Sequence, residues 1–338
     1  MPPLQAVEHL VGMQAQTPRS PYTALWSRLD SFDPMELSRA IESREAVRIA
    51  LMRSTIHLVS GRDALFLRPL TQPIVMRELT SPVWRRPLEG LDQGALAAKA
   101  RELLEDEPRS PKQLGAALLE HFPEREPRAL AHAARSLLPL VQIPPRGLWD
   151  RSGTTTLTTA EHWLGKPLVA DARWDDIALR YLAAFGPATA ADLVTWSRVP
   201  GFAEVVARLR PRLVVLHDED GRELFDLPDA PRPPGDVAAP PRFLPDYDNL
   251  LLSHADRGFV FDNDVRAQMQ TNNGVLPGSV LVDGRVAAAW TIERTATNAR
   301  LAVRCLDLPR ASRPAVRAEG LGLLGFLAPG LKGTVELR

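Results

Sequence analysis

The chain has 338 residues, 45% of them hydrophobic, and its 41 basic and 41 acidic side chains give a formal charge of zero. That size supports a full core shared by two to four domains, and zero net charge excludes a uniformly basic nucleic-acid binder while leaving room for a local basic surface. The single Cys305, in an apolar strand-like run that reads as core, excludes an internal disulfide, no Cys/His cluster offers a zinc framework, and neither a signal peptide nor an apolar run of roughly 18 residues is present. The expectation is a cytoplasmic protein with no membrane partner and no metal or cofactor.

The first predicted element is a helix over Val7 to Met13, with apolar residues at helical spacing. It runs into Gln14-Ala15-Gln16-Thr17-Pro18, where Pro18 stops it, so both glutamines are expected at a helix end. Past the last turn the chain extends, and two residues two apart can then face the same point.

Three similar openings follow at Asp33-Pro34, Ser110-Pro111 and Gly186-Pro187 leading to Thr189, each a capping residue before a short amphipathic helix. Their spacings of 77 and 79 residues read as an internal repeat. Second helices are expected at Glu45 to Met52, Arg128 to Leu138 and Phe202 to Leu209. Strands are expected at Ser54 to Val59, then Leu140 to Ile143 with Thr154 to Leu157, and finally Leu213 to Leu216 with Glu223 to Leu227, the last pair joined through Asp220-Gly221. Helix, turn, helix and hairpin is the winged-helix order. Pro228 to Pro241 reads as a linker, followed by strands at Ser279 to Val282, Val286 to Glu293, Ala299 to Leu306 and Thr334 to Leu337, and a helix near Arg313 to Leu327.

The fold class is therefore α+β: three tandem winged-helix units, over 1–87, 88–168 and 169–230, then a linker over 231–241 and a β-rich, barrel-like domain over 242–338. Charge is uneven along it. Residues Arg39 to Arg86 carry a net +5, whereas Asp218 to Asp248 hold nine acidic residues against three arginines, so a DNA-facing surface is expected in the first unit. Arg19, Arg48 and Arg53 are its candidate phosphate contacts, with solvated surface charge as the other reading.

Gln14-Ala15-Gln16-Thr17-Pro18, continuing to Pro21-Tyr22-Thr23-Ala24-Leu25-Trp26, resembles the signature of the AlkZ/YcaQ-like alkylpurine DNA glycosylases. Arg53-Ser54-Thr55-Ile56-His57-Leu58 resembles a second family segment, with serine at its usual glycine. Leu244-Pro245-Asp246-Tyr247-Asp248-Asn249-Leu250, followed by Val282-Asp283-Gly284-Arg285 and Trp290, resembles a third. Thirteen residues precede Gln14, fewer than is usual in the family, so the first unit is expected to be short at its start.

The resemblance implies three winged helices with a C-terminal β-domain, Gln14 and Gln16 as catalytic residues, double-stranded alkylated DNA as partner and no obligate protein partner, the chain acting as a monomer. His57, Thr55 and Asp248 are candidates to line the site. His57 reads equally well as a satisfied half-buried histidine, and Asp248 as a surface cap. Two amides suit a substrate whose leaving base is already cationic: what remains is to orient a water at C1′, and an amide offers both an acceptor and a donor. The competing readings are a DNA-binding regulator without catalysis and a protein-interaction scaffold.

Overall fold

The computed structural model describes residues 1–269 and 277–338. They form two compact units: Met1–Arg19 with Asp33–Pro228, and Ser20–Phe32 with Asp229–Arg338. The fold is mixed α+β.

In the first unit, α1 (Pro3–His9) precedes β1 (Met13–Gln14). The intervening α2 (Ser20–Trp26) belongs to the second unit. The chain returns as α3 (Pro34–Glu42), β2 (Ala46–Ala50), β3 (Ile56–Ser60) and α4 (Gly61–Met76). The next stretch is α5 (Gln93–Asp106), α6 (Pro111–Leu119), α7 (Pro127–Leu137), β4 (Leu140–Gln142), β5 (Leu157–Thr159) and α8 (Ala160–Leu164). Then come α9 (Trp174–Phe185), α10 (Ala190–Ser197), α11 (Phe202–Leu209), β6 (Val214–His217) and β7 (Glu223–Asp226).

All three expected helix starts are capped. Asp33 accepts from the Met35 N–H, and Ser110 with Gln113 and Thr189 with Asp192 form reciprocal capping boxes. In the second and third stretches a single bridge, Arg109 to Leu157 and Ala188 to Phe225, ties the segment before the capped helix to the hairpin.

Two expectations fail in the first stretch. The helix expected over Glu45 to Met52 is instead strand β2, every residue of which is buried between β3 and β4. A short apolar run buried on both faces has no period to separate helix from strand, and the pairing partners decide. The helix expected to reach Met13 ends at His9, because Val11 (φ 51°) and Gly12 (φ 91°) turn the chain into β1.

The strands of the first two stretches merge into one sheet in the order β1-β3-β2-β4-β5. In its register Gln14 lies opposite His57 and His57 opposite Ile49, so these three side chains share a face. The core beneath combines Val47, Ile49 and Leu51 with Tyr181, Trp196 and Phe202 of the third stretch. A bidentate ion pair braces it: Arg180 meets the buried Asp63 at 2.9 and 2.6 Å and donates to the Glu8 carbonyl at 2.6 Å.

In the second unit, β8 (Arg242–Leu244), β9 (Gly278–Val282), β10 (Arg285–Arg294), β11 (Asn298–Cys305) and β12 (Lys332–Leu337) form a sheet in the order β12-β11-β10-β9-β8. Helix α12 (Asn263–Met269) precedes β9, and α13 (Arg313–Leu327) joins β11 to its parallel neighbour β12. The barrel-like closure expected here is absent among the described residues. β8 and β12 are the two ends of an open sheet, and a parallel last pair needs a crossover helix, which α13 supplies. Cys305 is half-buried and free rather than core. Among the described residues no helix is long and apolar enough to cross a membrane.

Gly12 sets the entry to β1. A Cβ there would lie 2.5 Å from Val59 Cγ1, at a positive φ that side chains resist. Gly12→Ala should destabilise the protein by about 1–3 kcal/mol, read from urea unfolding, whereas Gly165→Ala, also at positive φ but in open space, should cost less.

Candidate active site

The glutamine motif is held by its backbone on both sides. The Ala15 N–H donates to the Ile56 carbonyl at 2.7 Å, and the Ala15 carbonyl accepts from the Arg48 guanidinium at 2.6 Å. Arg48 was expected at DNA phosphates, but it stands in β2 and is 2% exposed. It fits there because Gly147 (φ 101°) leaves room, its Cβ position lying 2.7 Å from Arg48 Cδ. Arg48 is therefore a brace beneath the motif.

The glutamine side chains meet. Gln14 Nε2 donates to Gln16 Oε1 at 2.7 Å, while Gln14 Oε1 accepts from the Arg53 guanidinium at 3.0 Å. A guanidinium only donates, so it must face the carbonyl end of Gln14, which leaves the amine end for Gln16. One cation thereby sets the direction of both amides. Gln14 is buried and Gln16 is exposed, so the chain of bonds runs outward from Arg53 to the surface at Gln16.

Arg53 sits in the connection between β2 and β3, where it and Ser54 both have positive φ (56° and 59°). Two consecutive left-handed residues cost on the order of 1–3 kcal/mol each unless their surroundings hold them. Here the Arg53 guanidinium also donates to the Trp196 carbonyl at the end of α10, and Arg135 of α7 donates to the Ser54 carbonyl at 3.3 Å. The connection is thus gripped from the second and third stretches.

His57 lies behind Arg53 and is 1% exposed. Its Nδ1 contacts the Thr55 carbonyl at 3.0 Å and its Nε2 lies 3.3 Å from Arg53. Since the carbonyl can only accept, Nδ1 carries the proton and Nε2 accepts from Arg53. Burial first, and the Arg53 charge second, pull the His57 pKa down to about 3 against the opposing Thr55 bond. The imidazole is neutral at any physiological pH and orients Arg53.

The remaining candidates are placed differently. Thr55 donates to the Met52 carbonyl and supports the connection. Arg19, 40% exposed in its side chain, pairs with Asp150 at 2.9 Å and lies over the Trp149 ring. Asp248 belongs to the second unit, where it is buried, caps the turn at Leu250 and takes a bidentate pair from Arg28 at 2.9 and 2.7 Å. Its neighbour Asp246 accepts from Ser20. Sequence reasoning missed Arg53 as the organiser of the amides and Arg48 as their brace. The only signal for either was an arginine in a run otherwise suited to burial.

In fold, the chain is similar to the Streptomyces sahachiroi DNA glycosylase AlkZ, with a TM-score of 0.82 at 21% identity, over 100% of this chain and 94% of that one. A family model described as DNA glycosylase AlkZ-like matches residues 7–326. The chain belongs to the AlkZ-like DNA glycosylase family, and so to a family of enzymes that act on DNA. A comparison with the curated proteins returned no match.

The His57 shift has a definite sign for stability. Between pH 6.5 and about 3 the unfolded chain binds a proton at His57 that the folded chain does not, so stability falls as pH falls through that window. From pH 7 to pH 4 this group should remove about 3 kcal/mol. Denaturant unfolding of His57→Gln across the same range should show a loss smaller by that amount.

Proposed function

We propose that the protein is a monofunctional DNA glycosylase that hydrolyses the N-glycosidic bond of cationic N3- or N7-alkylated purines, with bulky adducts and interstrand crosslinks within its range. The observation that carries this reading is the directed chain Arg53 to Gln14 to Gln16, which ends on an exposed amide.

Gln16 Oε1 accepts one bond from Gln14 and retains a second lone pair. A water accepted there is oriented rather than strongly activated, since an amide is a poor base. Attack of that water on C1′ breaks the C1′–N9 bond, and the bonding pair returns to the purine and cancels its positive charge. The products are an abasic sugar, the neutral alkylpurine and a proton released to solvent. Undamaged purines need protonation as they leave, and His57, neutral and enclosed, is no acid for that purpose. Weak chemistry is then the source of selectivity.

Strand cleavage after base loss would require an amine to form a Schiff base with the sugar. Neither Gln14 nor Gln16 supplies such an amine, which accords with a monofunctional reaction. The second and third stretches, each a helix, a capped helix, a second helix and a hairpin, and the first, in which strand β2 stands where the second helix was expected, are read as winged-helix units, a form that places a helix in a groove and a hairpin on phosphates. Gln14 and Gln16 are the catalytic pair, Arg53 and His57 position them, and Arg19 is the candidate phosphate contact.

Release of N7-methylguanine from duplex DNA under single-turnover conditions tests the assignment. Gln14→Ala and Gln16→Ala should each lower the rate roughly 100-fold with little change in duplex binding. Wild-type rates in both variants would remove the glutamines from the mechanism. Salt-dependent duplex binding by the wild type without any base release would favour a DNA-binding regulator.

A further inference from the structure

A pocket of about 480 Å³ opens on α7 within the first unit, in the size range of small-molecule sites. Arg128, His132 and Arg135, at helical spacing, present one face of α7 to it, and Trp84 and Lys112 complete the polar and aromatic lining. Trp84 stacks on His132 with ring centroids 4.2 Å apart, carries Arg128 5.4 Å from its own centroid, and is still only half-buried.

Two features suit a ligand. Lys112 and Arg128 are exposed, and among the described residues neither has a carboxylate within ion-pair distance. The His132 imidazole stacked on Trp84 is neutral, burial and the neighbouring Arg135 and Arg128 holding its pKa to about 4, so the aromatic pair adds no charge of its own. The pocket therefore combines an aromatic platform with open cations. A planar base with an attached phosphate meets both demands together.

Its position narrows the ligand further. Arg135, on the pocket wall, donates to the Ser54 carbonyl, and Ser54 follows the Arg53 that orients Gln14. We propose that this pocket receives one unpaired nucleotide of the bound DNA, at or beside the adduct, with its base against Trp84 and its phosphate on Arg128 and Lys112. A base still stacked in a duplex cannot enter such a recess, so the nucleotide must leave the stack. The proposal rests on the glycosylase reading for its ligand, DNA, and goes beyond it by assigning a second subsite on α7.

The test is equilibrium binding to a duplex holding one N7-methyl-2′-fluorodeoxyguanosine, whose glycosidic bond resists hydrolysis. It is repeated with a base-less tetrahydrofuran nucleotide at the lesion, opposite it, or at either neighbour. Trp84→Ala should weaken binding to the complete duplex about 10-fold, and that effect should vanish on the one duplex that lacks the base entering the pocket. Trp84→Phe should stay near wild type, and Arg128→Ala should lower the slope of log Kd against log salt by about one. If Trp84→Ala unfolds, Trp84→Leu, which keeps apolar volume without a ring, should show the same pattern across the duplexes.

An undiminished Trp84→Ala effect on every duplex, or no effect on any, overturns the proposal. Base release from the hydrolysable N7-methylguanine duplex is scored separately. Coupling without base release overturns the catalytic reading alone, and base release without coupling overturns the subsite alone.

Discussion

The direction of both glutamine amides depends on a single guanidinium. Arg53 holds the Gln14 carbonyl, accepts the support of His57 and reaches the Trp196 carbonyl across 143 residues of sequence. It does so from a left-handed backbone conformation that an isolated hairpin would not choose. The geometry is stable only because the second and third stretches of the chain hold the same connection, through Arg135 and through the end of α10. A cation placed this way imposes direction on two amides that could otherwise turn end for end.

That constraint explains why the site lies in a merged sheet. β1 has only two residues, too few to form a stable strand alone, and is fixed by pairing with β3, itself backed by β2, β4 and β5. The pairing aligns Gln14 with His57, so the buried imidazole and the catalytic candidate face the same side. Arg48, from the central strand, then holds the Ala15 carbonyl from the other side of the motif. On the function proposed above, such a relay positions water for a bond already weakened by positive charge.

The family sits easily with this chemistry, since DNA is the substrate that a DNA glycosylase requires. The basic excess expected between Arg39 and Arg86 is partly spent inside the protein: Arg48, Arg53 and Arg68 bond carbonyls and amides there. Counting charges along the sequence therefore overstated the surface available to phosphates. Two exposed cations, Arg128 and Lys112, come instead from the second stretch.

Much was legible from local signals. Asp33, Ser110 and Thr189 cap their helices because capping depends on atoms within three residues, and the hairpin at Asp283-Gly284 follows from two residues that tolerate positive φ. The glutamine pair, too, was marked by its own flanking residues. Tertiary structure alone decided the rest. Whether Ala46–Ala50 is strand or helix, whether Arg48 meets water or a carbonyl, and that Ser20–Phe32 joins the second unit all turn on partners far away in sequence. The sequence by itself marked Gln14 and Gln16 as candidates for the chemistry. Register and packing decided how they meet, because a side chain's orientation is set by what it touches, and Gln14 touches an arginine 39 residues away.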